Sequence, residues 1–233
     1  MARRYVIKQD AAPAAPISGI DYRTALNEEQ YAAVSSEPGP ALVIAGAGSG
    51  KTRTLTYRVA WLLDHGTDPW NILLLTFTNK AAREMTERVR SLIPLDLSRL
   101  WSGTFHSIAN RILRQHAEYL GYTPAFTIMD SDDRKSMIKS VIKSLKLDEK
   151  STRFPKPEVL SSLFSLADNE GANIQETLEN AYPYLSNHLD AILDVHEQYV
   201  ARKQETNSMD FDDLLLNVVR LFQEQEHLRA LYG

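Results

Sequence analysis

The sequence contains no cysteine, which excludes disulfides, thiolate-held zinc and thiolate-held iron–sulfur clusters, and is compatible with a reducing compartment. It has no apolar run near the roughly 18–20 residues that a membrane-crossing helix needs. Arg3 and Arg4 are not followed by an apolar stretch, so nothing there reads as a secretory signal. An excess of positive charge is missing too: 26 Lys and Arg stand against 30 Asp and Glu, a formal charge of −4. Overall charge therefore does not announce a nucleic-acid binder, and any such contact has to come from local patches. None of the six histidines pairs with another at metal-ligand spacing. What remains is an ordinary globular composition, 43% apolar and 24% charged. The 233 residues give room for one large or two small domains, and no internal repeat or low-complexity segment stands out.

The most informative stretch is Ala45-Gly46-Ala47-Gly48-Ser49-Gly50-Lys51-Thr52. Before it, Ala41-Leu42-Val43-Ile44-Ala45 has the continuous apolar character of a buried strand. After it, from Arg53 on, Leu55, Val59, Leu62 and Leu63 recur at helical spacing. A glycine-rich turn between a strand and a helix is the context in which this pattern reads as a phosphate-binding loop. Its glycines let the backbone curl and aim N–H groups inward, and the helix start adds its positive dipole end. Lys51 supplies a point charge for the β- and γ-phosphates of a nucleoside triphosphate, and Thr52 a hydroxyl for Mg²⁺. The one departure from G-x-x-x-x-G-K-[ST] is Ala45 in the first position. Ala is small enough for the turn.

Read in order, residues 1–20 look like a flexible tail, with Pro13 and Pro16 among alanines and order expected from Asp21-Tyr22. Asn27 and Gln30 have the N-cap and N3 spacing of a capping box. Gln30 reads first as that cap, with an amide that recognises the edge of adenine as the second reading. Asn71–Thr76 reads as a second buried strand, with Phe77-Thr78-Asn79-Lys80 at its carboxyl end and a helix to about Leu92. Ligands of open α/β sheets bind outside the carboxyl ends of strands, which would put Phe77 on the edge that carries Lys51. Phe77 is open between a base-stacking ring and a core ring. Leu100–Thr104 suggests a short third strand, after which Phe105 and His106 repeat the pattern of an aromatic among polar groups. By itself His106 is better explained structurally.

Beyond about residue 107 helical patterns dominate, apart from a strand-like Phe126–Met129. Asp130 is expected to cap a helix carrying Met137, Ile138, Val141 and Ile142 on one face. Lys135, Lys139, Lys143 and Lys146 form a cationic stripe on its other face, open between a phosphate contact and a solvated surface. Further helices are expected near 158–168, 173–180 and 185–204. Asp210-Phe211-Asp212-Asp213 then opens a helix apolar nearly all round, expected to be buried against the first α/β segment, its three Asp complementing the helix dipole.

These motifs, in this order and spacing, resemble the amino-terminal part of the UvrD/Rep/PcrA-like superfamily 1 DNA helicases. The matching stretches are Leu26–Gln30, Ala45–Arg53, Leu75–Met85, Gly103–Ser107 and Met209–Leu215. The third, Leu-Thr-Phe-Thr-Asn-Lys-Ala-Ala-Arg-Glu-Met, is the most specific, and the set covers nearly all of the chain after residue 20. The resemblance implies an α/β fold: a RecA-like P-loop NTPase domain with a parallel sheet, interrupted by an all-α inserted subdomain. It implies a division into residues 21–107 (first part of the ATP-binding domain, 1A), 108–207 (inserted subdomain, 1B) and 208–233 (return to 1A). It further implies ATP and Mg²⁺ as cofactors, Gln30 as the adenine reader and Arg53 close to the nucleotide. Thr76, Phe77, Thr78, Asn79, Thr104, Phe105 and His106 would then contact single-stranded DNA. A bacterial-type cytoplasmic location and action at single-strand/duplex junctions with 3′→5′ polarity follow from the same resemblance.

The family places an Asp-Glu pair at the end of a later strand, and this sequence stops at Gly233 before it; the second RecA-like domain is also missing. The only internal mimic is Phe126–Asp130, where Asp130 is better explained as a cap. The chain by itself is therefore expected to bind nucleotide with little turnover, and to expose apolar surface or have it covered by a partner. Alternatives are a non-hydrolysing, nucleotide-gated DNA or protein-binding module, and the amino-terminal part of a helicase–nuclease subunit. A small-molecule kinase is disfavoured by the Leu75–Met85 stretch.

Overall fold

The computed structural model describes residues 17–147 and 154–233. Most of the expected flexible tail lies outside these residues. The chain divides into two compact units, residues 1–108 and 109–233.

In the first unit α1, α2 and α4 start where the sequence supplies a side-chain cap. Asp21 accepts from the amides of Arg23 and Thr24 to start α1 (Tyr22–Ala25). Asn27 and Gln30 form the expected capping box at α2 (Glu28–Val34). Helix α3 (Lys51–Asp64) follows Gly50. Asp68 and Pro69 then shape a 3-10 turn that leads into β1 (Leu73–Thr76). Thr78 caps α4 (Asn79–Leu92) through the Ala81 amide, and β2 (Trp101–Thr104) returns beside β1. The two strands are parallel, with Leu73 opposite Trp101 and Thr76 opposite Thr104. Val59, Ala60 and Leu63 of α3, Leu74 of β1, and Met85 and Val89 of α4 share one core.

Two expectations for this unit are corrected. Residues 17–20, ahead of Asp21, are already held in place, because Asp64 gathers the segment: it accepts from Ile17 N at 3.1 Å, Ser18 N at 2.9 Å, the Ser18 hydroxyl, and the Tyr22 hydroxyl at 2.6 Å. Asp64 is fully buried. Burial alone would raise its carboxyl, yet the Ser18 and Tyr22 hydrogen bonds hold it below the usual range. Secondly, residues 41–45 form no strand. Leu42, Val43 and Ile44 are 87%, 57% and 89% exposed. An apolar run becomes a buried strand only with a hydrogen-bonding neighbour, and among the described residues of this unit the sheet is the β1–β2 pair alone.

Helix α5 (Phe105–His116) leaves β2 and continues into the second unit, which is mostly helical. A short parallel pair, β3 (Thr127–Ile128) and β4 (Ser208–Met209), ties its two ends together. Between them run α6 (Ser131–Ser144), α7 (Pro157–Glu170), α8 (Ile174–Ala181) and α9 (Leu189–Glu205). After β4 come α10 (Phe211–Glu224) and α11 (Glu226–Tyr232). Asp130 caps α6 as expected, with Asp133 completing the box. Ile138, Leu160, Phe164, Leu178, Ile192 and Tyr199 sit at the centre of the core.

Helix α10 is not buried all round. Leu214 and Leu221 are buried, while Leu216 and Val219 are 39% and 53% exposed. At 3.6 residues per turn Leu214, Val218 and Leu221 share one stripe, and Leu216 and Val219 fall on the other side. The three Asp of its first turn do more than complement a dipole. Asp210, buried, accepts from the Tyr199 hydroxyl at 2.7 Å and from Lys203 Nζ at 3.1 Å. Lys203 also reaches Asp213 at 2.7 Å, and Arg134 reaches Asp212 at 2.5 Å. Burial pushes the Asp210 carboxyl up, and Lys203 and Arg134 more than offset it, so it is held below the usual range.

Candidate nucleotide site and nucleic-acid edge

The expected functional residues gather in two clusters of the first unit. The phosphate-loop cluster spans Ala45 to Thr52. Gly48 and Gly50 have φ of 78° and 84°, the left-handed region that a Cβ disfavours. At Gly50 a Cβ would also lie 2.6 Å from Gln30 Nε2. No side chain caps α3, so the first-turn amides of this 14-residue helix are left for another acceptor. Lys51 is folded onto its own loop, donating to the carbonyls of Ala45 at 3.2 Å and Gly46 at 2.8 Å. The Ser49 hydroxyl donates to the same Gly46 carbonyl at 2.7 Å. Ala47 is exposed at the tip of the loop, and Thr52 is exposed on the first turn of α3.

Loop amides, an ammonium and a hydroxyl suit the anionic phosphates of ATP, and Thr52 can give Mg²⁺ one oxygen ligand. Among the described residues no group of three or more His, Asp or Glu is placed to hold a metal ion by itself.

Gln30 takes the cap role, and its amide also reaches the phosphate loop. Its Oε1 accepts from Asn27 N at 3.3 Å, closing the capping box, and its Nε2 donates to Ser49 O at 3.0 Å, inside the phosphate loop. Arg53 is turned toward α1, where it donates to Ala25 O at 2.8 Å with its guanidinium over the Tyr57 ring. Sequence reasoning missed Arg58. Its Nη1 donates to Val34 O and Ser36 O, both at 2.6 Å, and so fixes the end of α2 where the chain turns toward the loop. A charged residue between Leu55, Val59 and Leu62 on an apolar helix was the available signal. A cavity of about 370 Å³ lies beside the loop, with Val43, Ala45, Lys51, Leu55 and Arg58 in its wall.

The second cluster is the carboxyl edge of the β1–β2 pair. Because Thr76 stands opposite Thr104, Phe77 and Phe105 leave the sheet side by side. Phe77 is 92% exposed and Phe105 53%, so the core reading of Phe77 fails. The polar neighbours brace the turns. The Thr76 hydroxyl donates to Thr78 O at 2.9 Å, Thr78 Oγ1 accepts from Ala81 N at 3.1 Å, and Asn79 opens α4. Ser107 N donates to Thr104 Oγ1 at 3.2 Å, and the Ser107 hydroxyl returns a bond to Thr104 O at 2.9 Å. His106 is half-buried on the first turn of α5. A Cβ at Gly103 would lie against Ser107 Oγ and turn that hydroxyl away from Thr104 O.

Similar proteins carry the same stretch of sequence. The chain is 39% identical over 208 residues to the ATP-dependent DNA helicase PcrA of Staphylococcus aureus, covering 89% of this chain and 28% of that protein. It is 41% identical over 199 residues to the ATP-dependent DNA helicase PcrA of Staphylococcus epidermidis, covering 85% of this chain and 26% of that protein. The chain thus spans about a quarter of the length of these relatives. Residues 26–232 match the family model described as the UvrD/REP helicase N-terminal domain, and with that match the chain belongs to the UvrD/REP helicase family.

Proposed function

We propose that the chain is the ATP-binding amino-terminal portion of an ATP-dependent DNA helicase that moves 3′→5′ along single-stranded DNA. In this reading Ala45–Thr52 hold the phosphates, Thr52 holds Mg²⁺, and Gln30 recognises the adenine, with Arg53 close to the nucleotide. Thr76, Phe77, Thr78, Asn79, Thr104, Phe105 and His106 contact the strand. The division at residues 107 and 207 into 1A, 1B and the return to 1A belongs to the same proposal, as do single-strand/duplex junctions as substrate and a cytoplasmic setting. Among the described residues no helix is long and apolar enough to cross a membrane.

The observation that carries the reading is Phe77, 92% exposed at the carboxyl edge of a parallel strand pair. Leaving a Phe side chain in water forgoes about 1.5–3 kcal/mol of burial. Stacking a base on it returns about 1–3 kcal/mol. Bound ATP supplies the phosphoryl group and the free energy of its transfer. The residues on this chain bind and orient it, which is most of what phosphoryl transfer asks of a protein.

Lys51 must exchange two carbonyl partners for phosphate oxygens, so nucleotide binding opens the loop from within. Titration of ATP with and without single-stranded DNA tests this. Lys51→Ala is expected to bind nucleotide at least tenfold more weakly than the wild type, and equal binding overturns the phosphate-loop reading. The chain alone is expected to turn over little ATP. DNA-stimulated turnover at a rate normal for a helicase would contradict that expectation.

A further inference from the structure

In the second unit α7 turns sharply into α8. Gly171, with φ of 64°, ends α7, and Asn173 caps α8 by accepting from Glu176 N at 2.8 Å. Between this turn and α9 lies a cavity of about 410 Å³, with Asp168, Gln175, Leu193 and His196 in its wall. Phe164, one turn before Asp168, ties the two helices together: its ring meets that of His196 edge-on at 4.8 Å and that of Tyr199 at 6.2 Å. Asp168 and His196 are both half-buried. Among the described residues neither side chain has a hydrogen-bond partner.

Asp168 is an unfavourable carboxylate for three reasons. It has given up water without gaining a donor. It stands in the last turn of α7, at the negative end of the helix dipole. Its surroundings are acidic, since from Pro157 to Ala201 the sequence has eight Asp and Glu and no Lys or Arg. The nearby cations Lys203 and Arg134 are already engaged by Asp210, Asp212 and Asp213.

We propose that this cavity binds a small organic cation, a guanidinium or ammonium on a short apolar stem. Each feature that burdens Asp168 favours such a ligand. A planar guanidinium gives a carboxylate two parallel N–H bonds and stacks on ring faces such as that of His196. Burial, then Lys203 and Arg134, lower the His196 imidazole to about 4, so it is uncharged at neutral pH and does not repel a cation. Leu193 and Ile174 offer the stem an apolar wall. The volume lies at the small end of ligand pockets, about 300–1,000 Å³. An anion would meet an uncompensated carboxylate. A resident metal ion would call for a larger ligand set, and among the described residues no group of three or more His, Asp or Glu is placed to hold one. The site lies wholly within the second unit, and the proposal does not rest on nucleotide or DNA binding.

The ligand's hold depends on pH through Asp168, whose carboxyl burial raises to about 6. Lys203 and His196 of α9, Arg134 of α6, and Asp210 and Asp212 at the start of α10 are the charged and titratable groups around it. Glu176 and Glu179 of α8 are exposed.

The test is a ligand-observed NMR titration of the whole chain with butylguanidinium, and with butylurea as its uncharged counterpart. At about pH 7.5 butylguanidinium is expected to bind at least tenfold more tightly than butylurea. At about pH 5 its binding should be roughly tenfold weaker, because a carboxyl titrating near 6 is then about nine-tenths protonated. Asp168→Asn keeps the shape without the charge and is expected to lose at least tenfold in affinity. Its unfolding midpoint should be no lower than that of the wild type, so the loss is not one of folding. Leu193→Lys, at an exposed position of the wall, sets a tethered ammonium beside the carboxylate and should weaken binding at least fivefold. Glu176→Gln, outside the cavity, should stay within twofold. The peptide acetyl-Gly-Arg-Gly-amide separates the two sources of a guanidinium: binding tighter than butylguanidinium assigns the site to a protein side chain, weaker binding to a free small molecule. Equal affinity in the wild type, Asp168→Asn and Leu193→Lys overturns the proposal. So does butylurea that binds as tightly as butylguanidinium, or a wild-type chain that binds neither guanidinium.

Discussion

Asp168 on α7 and His196 on α9 line one cavity of about 410 Å³ and titrate in opposite senses. Burial raises the Asp168 carboxyl to about 6, against a partial pull downward from Lys203. Burial, then Lys203 and Arg134, lower the His196 imidazole to about 4. In an unfolded chain the two groups titrate near ~3.9 and ~6.5. For Asp168 the fold holds the proton more tightly than the unfolded chain, so its contribution falls as pH rises from about 4 to about 6. For His196 the fold refuses a proton that the unfolded chain accepts, so its contribution falls as pH drops from about 6.5 to about 4. The two trends oppose each other and flatten the wild-type profile. Asp168→Asn should therefore gain about 1–2 kcal/mol at pH 7, after discounting for its partial exposure, and lose that gain near pH 4. Urea unfolding across pH checks it, and a gain of the same size at both pH values contradicts it. None of this was legible in the sequence, because the burial that chiefly shifts both groups comes from the packing of separate helices, and the cations that modify it arrive from α6 and the far end of α9. Gln30 was legible because its cap partner Asn27 is three residues away. Asp64 was not, because its partners are 42 to 47 residues away.

Helices were readable one at a time, because a cap and a 3.6-residue stripe are properties of a single segment. The starts of α2, α4 and α6 follow from Asn27, Thr78 and Asp130. A strand depends on its neighbour. Leu73–Thr76 and Trp101–Thr104 find each other, whereas 41–45, as apolar as either, finds no ladder. This difference has a direct stability signature. Leu42→Ser and Ile44→Ser should change unfolding free energy by no more than about 0.5 kcal/mol, as exposed positions do. Leu74→Ala, at a position 3% exposed, should cost about 2–4 kcal/mol. Denaturant midpoints of the three variants decide it, and a cost above about 1 kcal/mol at Leu42 would show that the stretch packs after all.

At the scale of the molecule, the order of motifs from Leu26 to Leu215 announced the family and where the glycine-rich loop and the aromatic-bearing strand ends would fall. The sequence did not announce how the second unit is tied together. Arg134, Tyr199, Lys203, Asp210, Asp212 and Asp213 join α6, α9 and α10 in one buried ionic cluster. Lys203→Ala would leave Asp210 and Asp213 facing each other without their shared ammonium. Removing one partner of such a cluster costs about 3–5 kcal/mol. Thermal unfolding and proteolysis of the 109–233 unit should report that loss, and Lys203→Met should not restore it, because chain volume returns without charge. Recovery in the Met variant would assign the role to packing.

The side chain of Gln30 has two hydrogen-bonding ends, and Asn27 N and Ser49 O already hold both. On the proposed adenine reading, a base would pair with the second Nε2 hydrogen and the second Oε1 lone pair, and so share this amide with the start of α2 and with the phosphate loop. The three equilibria are then linked, and linkage is reciprocal. Whatever changes the hold of the first turn of α2 on this amide changes its grip on the base by the same factor, and the base acts back on that turn equally. On that reading the strength of one helix start is a dial on nucleotide affinity.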